Sequence, residues 1–120
     1  MTRQELIREC DKLFMAKHRH APCAVTTLRS WMGQPTVGHH ILAKSVYPEY
    51  RYEPMNMISL APHMHQRAHD YHKWFVTWLK RNRPEQYEWC KQNAHHRNKK
   101  KINIQEVYER LKEEQNNGKQ

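Results

Sequence analysis

Five side chains between residues 39 and 69 have the types and spacing of a reactive centre: His39, His40, Asn56, His65 and His69. Two histidines four apart on a helix point to the same side, so His65 and His69 can hold one metal ion between them. Neighbours on a strand point to opposite faces, so His39 and His40 cannot both reach that ion from a regular strand. One of them would face the metal and the other the space where a substrate lies. That division suits hydrolysis of a phosphodiester. The reaction needs a cation on the phosphate and the leaving oxygen, and a base of near-neutral pKa for the attacking water.

Two strands and a helix must position these residues. The pattern predicts short strands around 37–42 and 57–60, joined by a loop of about fourteen residues. A helix over 62–70 is opened by Pro62 and presents His65 and His69 on one face. Upstream, residues 2–17 read as an amphipathic helix. Thr2 and Glu5 have capping-box spacing, and Leu6, Ile7, Cys10, Leu13 and Phe14 recur on one side. Downstream, Asp70 is read as the cap of a helix whose apolar stripe is Tyr71, Trp74, Phe75, Trp78 and Leu79. That spacing is of a core face rather than a base-stacking platform. Arg83-Pro84 breaks the pattern, and a short helix bearing Tyr87 and Trp89 follows. Residues 93–101 form a polar, basic connector. Asn103 and Glu106 cap a last helix with Ile104, Val107, Tyr108 and Leu111 on its face, fraying from Gln115. The expectation is one α+β, mostly helical domain over 1–120. It comprises an N-terminal helix (1–19), a core carrying the histidines (20–72), a helical extension (73–114) and a tail (115–120).

Composition narrows the partners. The chain has 120 residues, 38% of them hydrophobic, against ~45–50% in typical soluble domains, so the core should be modest. No apolar run approaches the ~18 residues of a membrane span, and MTRQELIREC lacks a signal-peptide apolar stretch. The three cysteines, Cys10, Cys23 and Cys90, have no CxxC spacing, which argues against a disulfide framework and for a reducing cytosol. The formal charge is +9, with ten histidines besides. Residues 17–101 hold 15 basic against five acidic side chains, while the flanking segments are nearly neutral. A polyanion, nucleic acid above all, is the most economical partner. Lys44, Arg51, Arg67, Arg97, Lys99, Lys100 and Lys101 are candidate phosphate contacts, with ordinary solvated charge as the plain alternative. His18, His95 and His96 read as phosphate contacts or solvated residues, His63 as surface, and His72 as a substitute ligand. HxxxH at 65–69 is no HExxH protease signature, because Gln66, an amide, stands where the catalytic Glu would be.

The segments GHH at 38–40, Asn56 in the NMISL strand and HxxxH at 65–69 together resemble the HNH (ββα-metal) endonuclease family. Their spacing is especially similar to its colicin-type DNase branch. WFVTWLKRNRPEQYEW at 74–89 looks like the C-terminal extension of small phage and prophage HNH proteins. The resemblance covers residues 20–91 and implies a ββα-metal core. It further implies His39, His65 and His69 as ligands of one divalent ion (magnesium, manganese, nickel or zinc), with His40 as general base. Asn56 would hold the inter-strand loop and thereby orient His40. The implied reaction is cleavage of DNA, double-stranded by preference, leaving 5′-phosphate and 3′-hydroxyl ends in the cytoplasm of a bacterial host. A non-catalytic DNA-binding accessory module, or a nuclease acting on RNA, are the alternatives. Where many small members carry a zinc ribbon, this chain has His20 and Cys23, then Ala61 and Met64. Ala61 offers no donor and Met64 a poor one, so no structural zinc is expected.

Overall fold

Strand β4, Met57–Leu60, has all four side chains buried, which demands cover on both faces of its sheet. Its partner is β3, Val37–His40, antiparallel in the register Val37–Leu60, Gly38–Ser59, His39–Ile58 and His40–Met57. The structure, a computed structural model, describes residues 1–95 and 101–117. Strand alternation sends Gly38, His40, Met57 and Ser59 to one face, and Val37, His39, Ile58 and Leu60 to the other.

The first face is covered by α1, Arg3–Arg19, which in turn packs on α5, Ile104–Asn117. The Glu5 N–H donates to Thr2 Oγ1 at 3.1 Å, satisfying one of the free donors of the first helical turn. Leu6, Cys10 and Phe14 meet Tyr52, Met57, Ile104 and Leu111 in one core. Burying a side chain such as Phe14 contributes roughly 1.5–3 kcal/mol. A hydrogen bond of 2.6 Å between His18 Nδ1 and Ser59 Oγ ties α1 to β4. The helix crosses so close to the sheet that a Cβ at Gly38 would lie 2.8 Å from Met15 Sδ and 2.9 Å from Met57 Sδ.

The second face is covered by α2, Pro62–Asp70, and α3, His72–Asn82, around a core of Cys23, Ile58, Leu60, Ala61, Ala68, Phe75 and Leu79. Helix α4, Pro84–His95, packs on α3, and Gln86 Nε2 donates to the carbonyl of Met57 at 3.0 Å. Among the described residues there are thus five α-helices and two small two-stranded antiparallel sheets, an α+β arrangement that is mostly helical. No described helix is long and apolar enough to cross a membrane.

Several local expectations change. Asp70 does not cap α3: its Oδ1 accepts from Gln66 Nε2 within α2, and Tyr71 holds the N-cap position with no side-chain cap bond. Tyr71 leaves the apolar stripe and is 66% exposed, because the break between α2 and α3 turns it to solvent. A second, unexpected hairpin pairs β1, Ser30–Trp31, with β2, Gln34–Pro35, through Met32 and Gly33, both at positive φ. The inter-strand connection spans 41–56 and contains short 3₁₀ turns at Pro48–Tyr50 and Pro54–Asn56. Helix α5 runs past Gln115 to Asn117.

Candidate functional site

His39 is 6% exposed on the second face of the sheet, its ring edge-on to Phe75 of α3 at 4.9 Å. Helix α2 crosses that face and presents half-buried His65 and exposed His69, four residues apart, to the same ring. One nitrogen from each imidazole lies within 4.8 Å of the other two. Among the described residues this is the one group of three or more His, Cys, Asp or Glu side chains so gathered. Donors about 2.1 Å from a shared ion stand roughly 3–3.5 Å apart. His65 Nε2 and His69 Nε2 already have that separation, 3.2 Å, across a hydrogen bond in which one ring donates and the other accepts.

The donor set fits a metal. Burial, reinforced by the neighbouring His65 and His69 rings, pushes the pKa of His39 down to about 3. Burial and His69 lower His65 as well. Both shifts favour the neutral imidazole, the form that ligates. Three ligands also leave coordination positions open for water or substrate, as catalytic rather than structural sites do. His72 opens α3 as an exposed residue outside this group, and His63 is half-buried rather than on the surface.

His40 is not part of the cluster. It shares its face of the sheet with Gly38 and Met57, toward α1. Its Nε2 lies 2.9 Å from the main-chain carbonyl oxygen of Arg51. A carbonyl only accepts, so Nε2 carries the proton and Nδ1 keeps its lone pair. Burial lowers the pKa of His40, although the bond to Arg51 works in the other direction.

Asn56 is fully buried, directly before β4. Its Oδ1 accepts from the Leu42 N–H at 2.7 Å, and its Nδ2 donates to the carbonyls of Leu42 and Tyr50, each at 3.1 Å. The Ile41 N–H adds a bond to the Asn56 carbonyl at 2.9 Å. One side chain therefore closes both ends of the 41–56 connection.

The candidate phosphate contacts divide. Lys44 and Lys101 are exposed. Arg67 lies over the Trp74 ring at 4.5 Å. Arg51 is held by Asp11 of α1 through Nε to Oδ1 at 3.0 Å and Nη2 to Oδ2 at 2.6 Å. Arg97, Lys99 and Lys100 fall outside the described residues. A basic face that the sequence reading missed runs along α3. Lys73, Thr77, Lys80 and Arg81 are all exposed opposite buried Phe75 and Leu79. Their spacing of four, seven and eight residues was the available signal. Among the described residues no ion pair engages Lys44, Arg67, Lys73, Lys80, Arg81 or Arg83; those present involve α1, α5 and Arg51.

Cys23 is buried beside Ala61, with Met64 packed against the same core. Burial raises its pKa, but hydrogen bonds from Thr26 and from the Ala61 and Val25 backbone outweigh that and lower it. Compared with models of protein families, with curated proteins and with solved structures, the chain matches none.

Proposed function

We propose that the chain is a metal-dependent endonuclease of the HNH type, its β3–β4–α2 segment serving as a ββα-metal core, and that it hydrolyses DNA phosphodiester bonds. The observation that carries this reading is the convergence of His39, His65 and His69, with His40, the next residue of β3, on the opposite face and set in one tautomer by a main-chain carbonyl. His39, His65 and His69 would hold one divalent ion. When bound, that ion would supply Lewis-acid stabilisation of the charge developing on the phosphate and on the leaving 3′ oxygen.

His40 would take a proton from the attacking water at Nδ1, the nitrogen its tautomer leaves with a lone pair. A general base of this kind is worth about 10²–10⁴ in rate. Asn56 would not touch the reacting atoms; it holds the carbonyl of Tyr50, next to the residue that fixes His40. The unpaired cations of α2 and α3, with Lys44, support a polyanionic substrate running past the cluster. An all-imidazole donor set favours nickel or zinc over magnesium and manganese, which prefer oxygen ligands.

The test is a nicking assay on supercoiled plasmid, with single-stranded DNA and RNA beside it, across magnesium, manganese, nickel and zinc. Wild type is expected to nick the plasmid. His40→Ala should lose about 10²–10⁴ in rate while still binding metal. Cleavage at the wild-type rate by His40→Ala would remove that residue from the role. Salt-sensitive DNA binding without cleavage in any metal would replace the enzyme with a DNA-binding accessory module.

A further inference from the structure

Three consecutive main-chain carbonyls, of Tyr50, Arg51 and Tyr52, each accept a side-chain hydrogen bond from a different part of the molecule. Tyr50 receives Asn56 Nδ2 at 3.1 Å, Arg51 faces His40 Nε2 at 2.9 Å, and Tyr52 receives Arg110 Nη2 of α5 at 3.0 Å. The same tripeptide is also gripped through its side chains. Asp11 of α1 takes both the Nε and Nη2 of Arg51, and its Oδ1 accepts the Tyr52 hydroxyl at 2.8 Å. A bidentate guanidinium–carboxylate pair fixes direction as well as distance. Asp11 is half-buried and so is Arg51, so the pair is shielded in part from competing water.

We infer that Asp11, on the N-terminal helix, is a positioning residue for His40: it fixes Arg51, whose main-chain carbonyl accepts the hydrogen bond from the imidazole Nε2–H. The inference rests on His40 being the general base. It places a determinant of that base in a helix outside the β3–β4–α2 core, acting through one backbone oxygen. A carbonyl free to move by a fraction of an ångström would let the ring turn about its side-chain bonds and swing Nδ1 off line, and such misplacement is costly to rate.

The experiment follows the ring proton of His40 by ¹⁵N-resolved NMR on the full chain without metal. In the wild type the Nε2 proton should be visible and slow to exchange with water. In Asp11→Asn, and separately in Arg51→Gln, its exchange should accelerate by about tenfold or more, because the clamp opens locally. Arg51→Gln keeps the carbonyl and serves as the second variant if Asp11→Asn does not fold. Lys17→Gln is the control: it breaks the ion pair from α1 to Glu114 of α5 without removing a bond to Asp11 or Arg51, and should leave the exchange unchanged. Under saturating metal and DNA, Asp11→Asn should also slow single-turnover cleavage about tenfold with metal affinity unaltered.

An unprotected His40 ring proton in the wild type, or equal exchange in wild type and both clamp variants, overturns the inference. So does acceleration in Lys17→Gln matching that of Asp11→Asn, which would mean general loosening of α1. If the wild type cleaves nothing while the exchange pattern holds, the nuclease reading fails and the positioning of His40 by Asp11 stands.

Discussion

The two faces of the β3–β4 sheet treat charge in opposite ways. On the α1 side, charges are matched inside the molecule: Asp11 with Arg51, and Glu114 with both Lys17 and Arg110. On the α2–α3 side three imidazoles converge with no carboxylate among them, and the cations of α2 and α3 are without ion pairs among the described residues. One face thus matches its charges internally, and the other leaves its imidazoles and its cations without ion pairs among the described residues. His39 and His40, adjacent in sequence, are divided between them by nothing more than the period of a strand.

Removing one histidine from each face tests that division most sharply. His39→Ala should weaken binding of nickel or zinc by about a thousandfold, roughly 4 kcal/mol, since even outer contacts to a ligand are worth 10–100-fold. His40→Ala should change it by no more than about twofold, because its ring belongs to the other face. Isothermal titration of both variants decides the matter. Equal losses would mean that the two rings share one site.

Next in size is the seam that joins the faces. Asn56→Ala strips Leu42 and Tyr50 of three hydrogen bonds, one buried and two part-buried, and should cost about 3 kcal/mol, since buried groups left without partners lose their full solvation. Urea denaturation measures it. A loss below about 1 kcal/mol would show that water replaces the amide at little cost.

Acid comes third, and it reports on His39. The unfolded ring titrates near 6.5 and the folded one near 3, so between those values the unfolded chain binds more protons. Stability therefore rises with pH through that window and is lost as pH falls below about 6.5. From pH 7 to pH 5 the loss attributable to His39 is about 2 kcal/mol. Urea curves of chelated protein at pH 7, 6 and 5 should show it, and His39→Gln should flatten most of the slope. A full slope in His39→Gln would assign the effect to His18, His40 and His65, whose pKa values are lowered too.

What could be read from sequence was local. The caps at Thr2 and Asn103 are made by the backbone three residues on, Glu5 and Glu106, and the HxxxH pair needs only one helical turn. The strand division of His39 from His40 likewise follows from two adjacent residues. The Asp11–Arg51 clamp and the Arg110–Tyr52 bond join residues 40 and 58 apart, and no periodicity announces either. Asp70 looked like a cap because a cap needs only a short polar side chain, but Gln66, one turn back, captures it first. The β1–β2 hairpin turns on Met32-Gly33, with no Asn or Asp ahead of the glycine to signal a turn of that hand.

The smallest expected effect carries the contrast out to the solvent. A cation that touches a DNA phosphate displaces about 0.9 of a condensed counterion, so its loss lowers the slope of log affinity against log salt by about one. At 0.15 M salt this amounts to about fivefold in affinity, near 1 kcal/mol. Lys73→Gln and Arg81→Gln, on the exposed face of α3, should each show this change in fluorescence anisotropy with duplex DNA. Lys17→Gln removes the same formal charge from α1, where Glu114 already answers it, and should leave the slope unaltered. A uniform response of all three variants would mean that net charge alone attracts DNA. A response confined to α3 would mean that the side of the sheet carrying the three-histidine cluster is the one that meets the phosphate backbone.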